Sequence, residues 1–301
     1  MKLWNSGRVH IVITNERIRY SFHKAPSLES LVVNGEIQLP SDTIKDGIIE
    51  QPDIFGEIMK ELVEKYKWKR KQLFFALPDD TTVIRQMEVP ISLSSEEILP
   101  YIHTQIGNTL FLPFSNPVLA INSLEEKTET NQQVLLFAYP KEKIDQFIHA
   151  FERAKLKPRA ADFTSLSIYR YYYQLIEPKK QHVLLIHWTN DSLFLTVFQK
   201  HKAIFSRYIK VKQSGDEYNS DHQTFMNDYI TEISRIIDFY QYSISKGKHK
   251  IELLLLTGDI PYLPQVKDKL QQNIDLAIYS FDDQEIPNSS IDVFGLALKT
   301  V

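Results

Sequence analysis

Residues 182–199 read HVLLIHWTNDSLFLTVFQ, two apolar runs, Val183–Trp188 and Ser192–Gln199, that meet across Thr189, Asn190 and Asp191. Short apolar runs joined by three such residues read as a β-hairpin, because Thr, Asn and Asp side chains close turns by bonding to nearby backbone. The chain opens on the same pattern: Val9–Phe22 alternates, is rich in β-branched residues, and is interrupted by Thr14, Asn15 and Glu16. The echo predicts an internal duplication, two sheet-containing halves that each begin with a hairpin.

Between the echoes, Asn34-Gly35 lies between Ser30–Val33 and Glu36–Leu39, and an Asn-Gly pair so flanked predicts a further tight hairpin. Ile54, Phe55, Ile58, Met59, Leu62, Val63 and Tyr66 share one helical stripe, followed by a buried strand at Leu73–Leu77. From residue 83 to 158 the pattern changes to strand, helix, strand, helix, which predicts a small α/β unit inserted in the first half. Ser94 and Ser95 before Glu96 and Glu97 mark a helix start, and Pro100 limits how that helix runs. Val118–Leu124 and Val134–Tyr139 read as strands on either side of a polar turn at 125–133, with a helix at Lys141–Ala154. After Pro178, Lys179 and Lys180 the second half adds a long helix with Phe225, Tyr229, Ile233, Ile236, Tyr240 and Ile244 on one stripe. A buried strand Ile251–Leu256 ending in Thr257-Gly258 and a closing helix Ile291–Leu298 complete it. The expected boundaries are 1–82 with 159–178 for the first half, 83–158 for the insert, and 179–301 for the second half, with a helical elaboration around 220–246.

Composition removes whole classes of function. Of 301 residues 43% are hydrophobic and 24% charged, which is globular usage, and the net charge of −3 supplies no field that would draw the whole chain onto nucleic acid. No Cys is present, so thiol nucleophiles, Cys zinc sites and disulfides are excluded. The first twenty residues hold no unbroken apolar stretch with a small-residue cleavage site, and no apolar run approaches bilayer length; a cytoplasmic location is expected. The run Lys65–Lys71 interleaves Tyr66 and Trp68 with cations and could be read as a nucleic-acid patch. The balanced net charge favours a solvated helix end whose cations complement the helix dipole.

Motifs for catalysis are missing. There is no HExxH, GxSxG, Walker or GxGxxG string, and only 9 Gly from which to build a phosphate loop. The 9 His are scattered; His182 and His187 are five apart on a strand, which points them to opposite faces, so no metal site is expected. Asp79-Asp80 and Asp282-Asp283 sit where turns want Asp.

Taken in order, several segments resemble the actin-like ATPase superfamily and, within it, the PilM family of type IV pilus assembly. They are Val83-Ile84-Arg85 leading to Val89-Pro90, Leu112-Pro113-Phe114, the stretch 134–142, Ala154–Pro158 with Asp162, the stretch 232–240, Leu256-Thr257-Gly258 with Leu263-Pro264, and Phe294–Lys299. The resemblance implies an α/β, actin-like fold: two RNase H-like mixed-sheet halves with the small subdomain inserted in the first. It also implies a nucleotide site bound through two phosphate hairpins, and there this chain departs from the family. Val12, Ile13 and Thr14 stand where a typical member reads Asp-hydrophobic-Gly, His187 and Thr189 replace the corresponding Asp and Gly, and Asp259 after Gly258 replaces a second Gly. An Asp would hold a magnesium-bound water and a Gly would let backbone N–H groups approach phosphate, whereas Asp259 adds like charge. The expectation is a degraded nucleotide site at Val12, Thr14, His187, Thr189, Gly258 and Asp259, with no catalytic residue, no cofactor and no metal. An altered ligand handled by His187 as base with Asp259 as its partner is the competing view.

By the same resemblance, the expected function is a cytoplasmic scaffold of type IV pilus or competence-pseudopilus assembly. Its implied partner is a PilN-type bitopic membrane protein, gripped through its cytosolic N-terminal segment between the first half and the insert, with the assembly motor ATPase as a further partner. Nucleic acid and direct membrane insertion are not expected. The candidate partner-binding residues are Phe111, Leu112, Pro113 and Phe114, with Arg85 to hold a carbonyl or an acidic side chain; the alternative is that the four are insert core and Arg85 a surface ion pair. An active ATPase or filament-forming protein of the FtsA/PilM group is the second functional reading.

Overall fold

The computed structural model describes residues 7–177, 179–211, 221–281 and 290–300, with backbone alone at 221–225. Phe225, expected on the long helix's stripe, and Asp282-Asp283 lie outside the described side chains. Two compact units form, Met1–Phe163 with the last two residues, and Thr164–Lys299.

In the first unit β1 (Arg8–Ile13), β2 (Arg17–His23) and β3 (Leu31–Gln38) form an antiparallel meander. A two-stranded ribbon of β4 (Ile44–Lys45) and β5 (Ile48–Ile49) leads into α1 (Pro52–Lys65), and β6 (Gln72–Leu77) returns parallel to β1. The insert holds β7 (Val83–Pro90), α2 (Ser95–Gln105), β8 (Pro117–Lys127) and β9 (Asn131–Pro140), after which α3 (Lys141–Arg153) leads to β10 (Lys157–Phe163), parallel to β6. The main sheet is ordered β10-β6-β1-β2-β3. Its core gathers Val9, Ile11 and Ile13 of β1 with Phe55, Met59 and Leu62 of α1 and Phe147 and Phe151 of α3. Each such side chain contributes roughly 1.5–3 kcal/mol relative to an exposed one.

Three expectations need correction here. Asn34-Gly35 makes no turn: β3 is continuous, and Gly35 pairs with Tyr20, where an added Cβ would stand 2.4 Å from the Tyr20 hydroxyl. The glycine makes room for an aromatic ring across the ladder. The polar stretch 125–133 is mostly strand, since Lys127 pairs with Gln132. Polar residues suit it because β8 is an edge strand of the insert's sheet, ordered β7-β9-β8. Finally, α3 does not pack in the insert: Phe151 meets Phe75 at 5.1 Å and Phe147 meets Phe55 at 5.7 Å, so α3 is the crossover helix of the main sheet. The insert's own core is smaller, Val89, Ile98, Ile102, Leu110, Val134 and Leu136. Helix α2 starts as expected, with the Ser94 N–H and hydroxyl both donating to Glu97 Oε2 at 2.9 and 2.8 Å, and it tolerates Pro100 on an exposed face.

The second unit begins with α4 (Thr164–Leu175), so of the segment 159–178 only the strand part joins the first sheet. Next come β11 (His182–Trp188), β12 (Ser192–Gln199), β13 (Lys202–Lys210), α5 (Asp221–Asp238), a π-helical turn at Phe239–Ile244, β14 (Leu253–Gly258), α6 (Leu263–Asn273), β15 (Ala277–Ser280) and α7 (Ile291–Ala297). Its sheet is ordered β13-β12-β11-β14-β15. β12 is antiparallel to β11 and β13, while β14 is parallel to β11 and β15. Strand for strand this is the order and direction of the first sheet, which is the duplication read from the hairpins. Helix α7 lies so close to α4 that a Cβ on Gly295 would stand 1.8 Å from the Ser167 carbonyl oxygen.

Candidate functional site

The first hairpin places Val12 on β1, fully buried, between its register partners Arg19 of β2 and Ala76 of β6. In the turn that follows, the Thr14 N–H donates to the Arg17 carbonyl at 3.0 Å. The Thr14 hydroxyl oxygen lies 3.1 Å from the Arg17 N–H and 3.3 Å from the Glu16 N–H, accepting from both. Backbone N–H groups that would cradle an anion in a glycine turn are here bonded to a side chain of the turn itself.

The second hairpin is also closed by its own side chains, through a different set of bonds. The Thr189 N–H donates to the Ser192 carbonyl at 2.8 Å, the Thr189 hydroxyl donates to Asp191 Oδ1 at 2.9 Å, and the Ser192 hydroxyl donates to the same oxygen at 3.0 Å. A carboxylate is thereby folded into the turn where a phosphate would need positive potential. His187, two residues earlier, is 5% exposed and stacks on Phe194 with ring centroids 6.0 Å apart. On the neighbouring strand β14, Gly258 pairs with Trp188, and an added Cβ would lie 1.9 Å from the Trp188 carbonyl oxygen. The Asp259 N–H then donates to that oxygen at 3.2 Å. Gly258 therefore has a packing reason to be glycine, independent of any ligand.

The fold thus brings His187, Thr189, Gly258 and Asp259 to one end of the second sheet, and Val12 and Thr14 to the corresponding end of the first. The echoing triplets Thr14-Asn15-Glu16 and Thr189-Asn190-Asp191 are both Thr-Asn-acid turns, and what the sequence reading did not find is that their side chains close them. Toward the open end of the first hairpin, away from its turn, His10 and His23 are buried with rings 5.2 Å apart. Burial, then His23 and Arg8, push His10 down to about 3, and burial lowers His23 as well. Among the described residues no cluster of three or more His, Asp or Glu could hold a metal ion.

The candidate partner residues separate. Phe111 is 64% exposed, Leu112 packs on the insert core, Pro113 is exposed and Phe114 half-buried. The loop they form leads into β8, whereas Arg85 is exposed on β7, the other edge of the insert's sheet. The four are therefore neither one apolar pocket nor all core. A groove of about 530 Å³ lies elsewhere, between α1 and α3, lined by Asp53, Glu57, Lys60, His149 and Arg153. Its walls are distant in sequence, so no local motif announced it.

No helix among the described residues is long and apolar enough to cross a membrane. No curated protein matches the chain in sequence. Its fold is similar to that of a chain in a PilM–PilN type IV pilus biogenesis complex, 17% identical, with 97% of each chain covered and a TM-score of 0.78. The cytoplasmic domain of EpsL, an inner membrane component of the type II secretion system of Vibrio cholerae, is 10% identical, with 98% of this chain and 96% of that one covered and a TM-score of 0.55. MreB5 of Spiroplasma citri bound to ADP is 8% identical over 96% of this chain and 94% of that one, with a TM-score of 0.54. These likenesses, with a further one to a protein of actin-like ATPase fold, make the fold actin-like. The family model described as type IV pilus assembly protein PilM matches residues 23–220, which takes in the second hairpin but neither the Thr14 turn nor Gly258-Asp259. With most of its length matched, the chain belongs to the PilM family of type IV pilus assembly proteins.

Proposed function

We propose that this PilM-family chain is a scaffold that does not hydrolyse ATP and that holds the cytosolic N-terminal segment of a PilN-type membrane partner. The observation that carries the first half of this reading is that both turns are closed on themselves: the Thr14 hydroxyl takes up the Glu16 and Arg17 N–H groups, and in the second turn the Thr189 and Ser192 hydroxyls hold the Asp191 carboxylate where a phosphate would need positive potential. Excess MgATP should leave the melting temperature unchanged. A ligand at a hundred times its dissociation constant would add about 2.7 kcal/mol, so a clear rise would favour the active-ATPase reading.

The partner half rests on the fold's likeness to a PilM–PilN complex and on Phe111, an aromatic side chain left in solvent beside the edge strand β8. Exposed aromatics anchor peptides, and an open strand edge supplies backbone donors and acceptors. Calorimetry with a synthetic leader peptide, the cytosolic N-terminal segment of a PilN-type membrane protein, tests it. Phe111→Ala should weaken binding at least tenfold while leaving the melting temperature in place, and unchanged affinity would remove Phe111 from the contact. The protein would then work at the cytoplasmic face of the membrane through that partner.

A further inference from the structure

The parallel strands β1, β6 and β10 of the first sheet begin side by side, with Arg8, Gln72 and Lys157 as register partners. The two connections entering that end are tied together: the Arg70 N–H donates to the Lys155 carbonyl at 2.7 Å and the Lys157 N–H to the Lys71 carbonyl at 2.9 Å. Lys65 at the end of α1 and Lys67, Lys69 and Arg70 in the connection after it are exposed. Arg153 at the end of α3, Lys155 in the connection after it, and Lys157 and Arg159 at the start of β10 are exposed, with Arg159 set in a β-bulge. None of these eight forms an ion pair with a carboxylate among the described residues. Residues 64–71 and 152–159, which hold all eight, include only Glu64 and Glu152 as acids, in a chain whose net charge is −3.

A second observation is independent of charge. Lys67, Arg70 and Lys155 have φ of 59°, 67° and 69°, the left-handed region. Glycine enters it without the Cβ clash that costs other residues about 1–2 kcal/mol, and glycine is the usual residue just beyond a helix end, where Lys67 and Lys155 stand. Three cations thus occupy places that backbone stability alone would give to glycine, and strain of this kind collects where a surface is used.

We propose that this basic end of the first sheet is a peripheral contact for an anionic phospholipid surface. Flexible, mostly lysine cations suit a plane of diffuse charge that offers no fixed partner geometry. A single-stranded nucleic acid would need open aromatic faces. Both aromatics of the run are turned into the fold instead: Trp68 is 2% exposed and stacks on Tyr66 at 4.9 Å, and the Tyr66 hydroxyl bonds that of Tyr20 at 3.0 Å. The inference rests on the reading that the protein works beside the membrane, and adds a direct contact to the one made through a partner.

The test is co-sedimentation of the full chain, without any partner peptide, with vesicles of phosphatidylcholine containing about a third phosphatidylglycerol, compared with phosphatidylcholine alone. Binding should require the anionic lipid and weaken strongly between about 50 and 500 mM salt. The triple variant Lys67→Glu, Arg70→Glu, Lys155→Glu should bind at least on the order of a hundredfold more weakly, since each neutralised cation alone is worth about fivefold. The variant Lys67→Gly, Arg70→Gly, Lys155→Gly removes charge while relieving backbone strain; it should lose vesicle binding with no fall in melting temperature, and retained binding would overturn the proposal. So would equal binding to neutral vesicles, or a DNA oligonucleotide bound more tightly than the anionic ones. Leader-peptide affinity measured on the same variants should be unchanged, which separates failure of this contact from failure of the partner reading.

Discussion

The two five-stranded sheets share order and direction, yet their central ladders end differently. In the first, β1 and β6 pair only as far as Val12 and Ala76, so the next residue, Leu77, keeps a side chain. In the second, β11 and β14 pair on to Trp188 and Gly258, which brings two backbones too close for any Cβ. The interiors differ as well: His10 and His23 occupy the positions that Leu185 and Phe198 fill in the second sheet, counting from the matching turns. Alternation and turn chemistry suffice to specify the shared topology, while the groups carried at matched positions are free to diverge.

The largest expected effect tests the crowded ladder end. Gly258→Ala should cost about 3 kcal/mol or more, because a backbone oxygen rather than a flexible side chain must move, and urea denaturation would measure it. A cost under about 1 kcal/mol would mean that the strands part easily and that the two sheets are more alike than described.

Acid should act next on the buried histidine pair of the first sheet. His10 is held down to about 3 against an ordinary 6.5, so below pH 6.5 the unfolded chain takes the proton and the folded chain does not. Stability is therefore complete above that pH and declines as pH falls toward 3, by roughly 2 kcal/mol at pH 5. His10→Leu, which copies the second sheet, should flatten most of this decline in melts recorded from pH 7 to 5.

Removing one hydroxyl from either turn should cost about 1 kcal/mol. Thr14→Val leaves the Arg17 and Glu16 N–H groups without their acceptor, and Thr189→Val takes a donor from Asp191. If only one variant is destabilised, the two turns are not equivalent. The smallest effect is a gain: Gly56 lies within α1 with open space where a Cβ would go, so Gly56→Ala should add up to about 1 kcal/mol, the reverse of Gly258→Ala.

Much of the fold was legible because buried strands and amphipathic stripes leave periodic marks, as at Val183–Trp188 and on α1. What misled was chemistry with two structural uses. Asn34-Gly35 matches a hairpin turn, but its glycine serves a tyrosine across the ladder, a contact no local pattern reveals. Residues 125–133 looked like a loop because an edge strand and a loop are both polar. At the nucleotide-type turns the substituted positions were visible, yet the role of Thr14 and Thr189 in closing the backbone was not, since it needs the turn geometry. Phe111 and Leu112 are adjacent apolar residues with opposite fates, set by which one the insert core can reach.

Pro140 ends β9 and Lys141 begins α3, so the insert's central strand runs into a main-sheet helix with no slack between them. Tyr139 fastens the joint, buried, with its hydroxyl donating to the Pro78 carbonyl at 3.1 Å. Tension applied to the insert is consequently handed straight to the layer formed by α3 and α1, and the subdomain behaves as a handle on the first unit, not as a pendant on a tether.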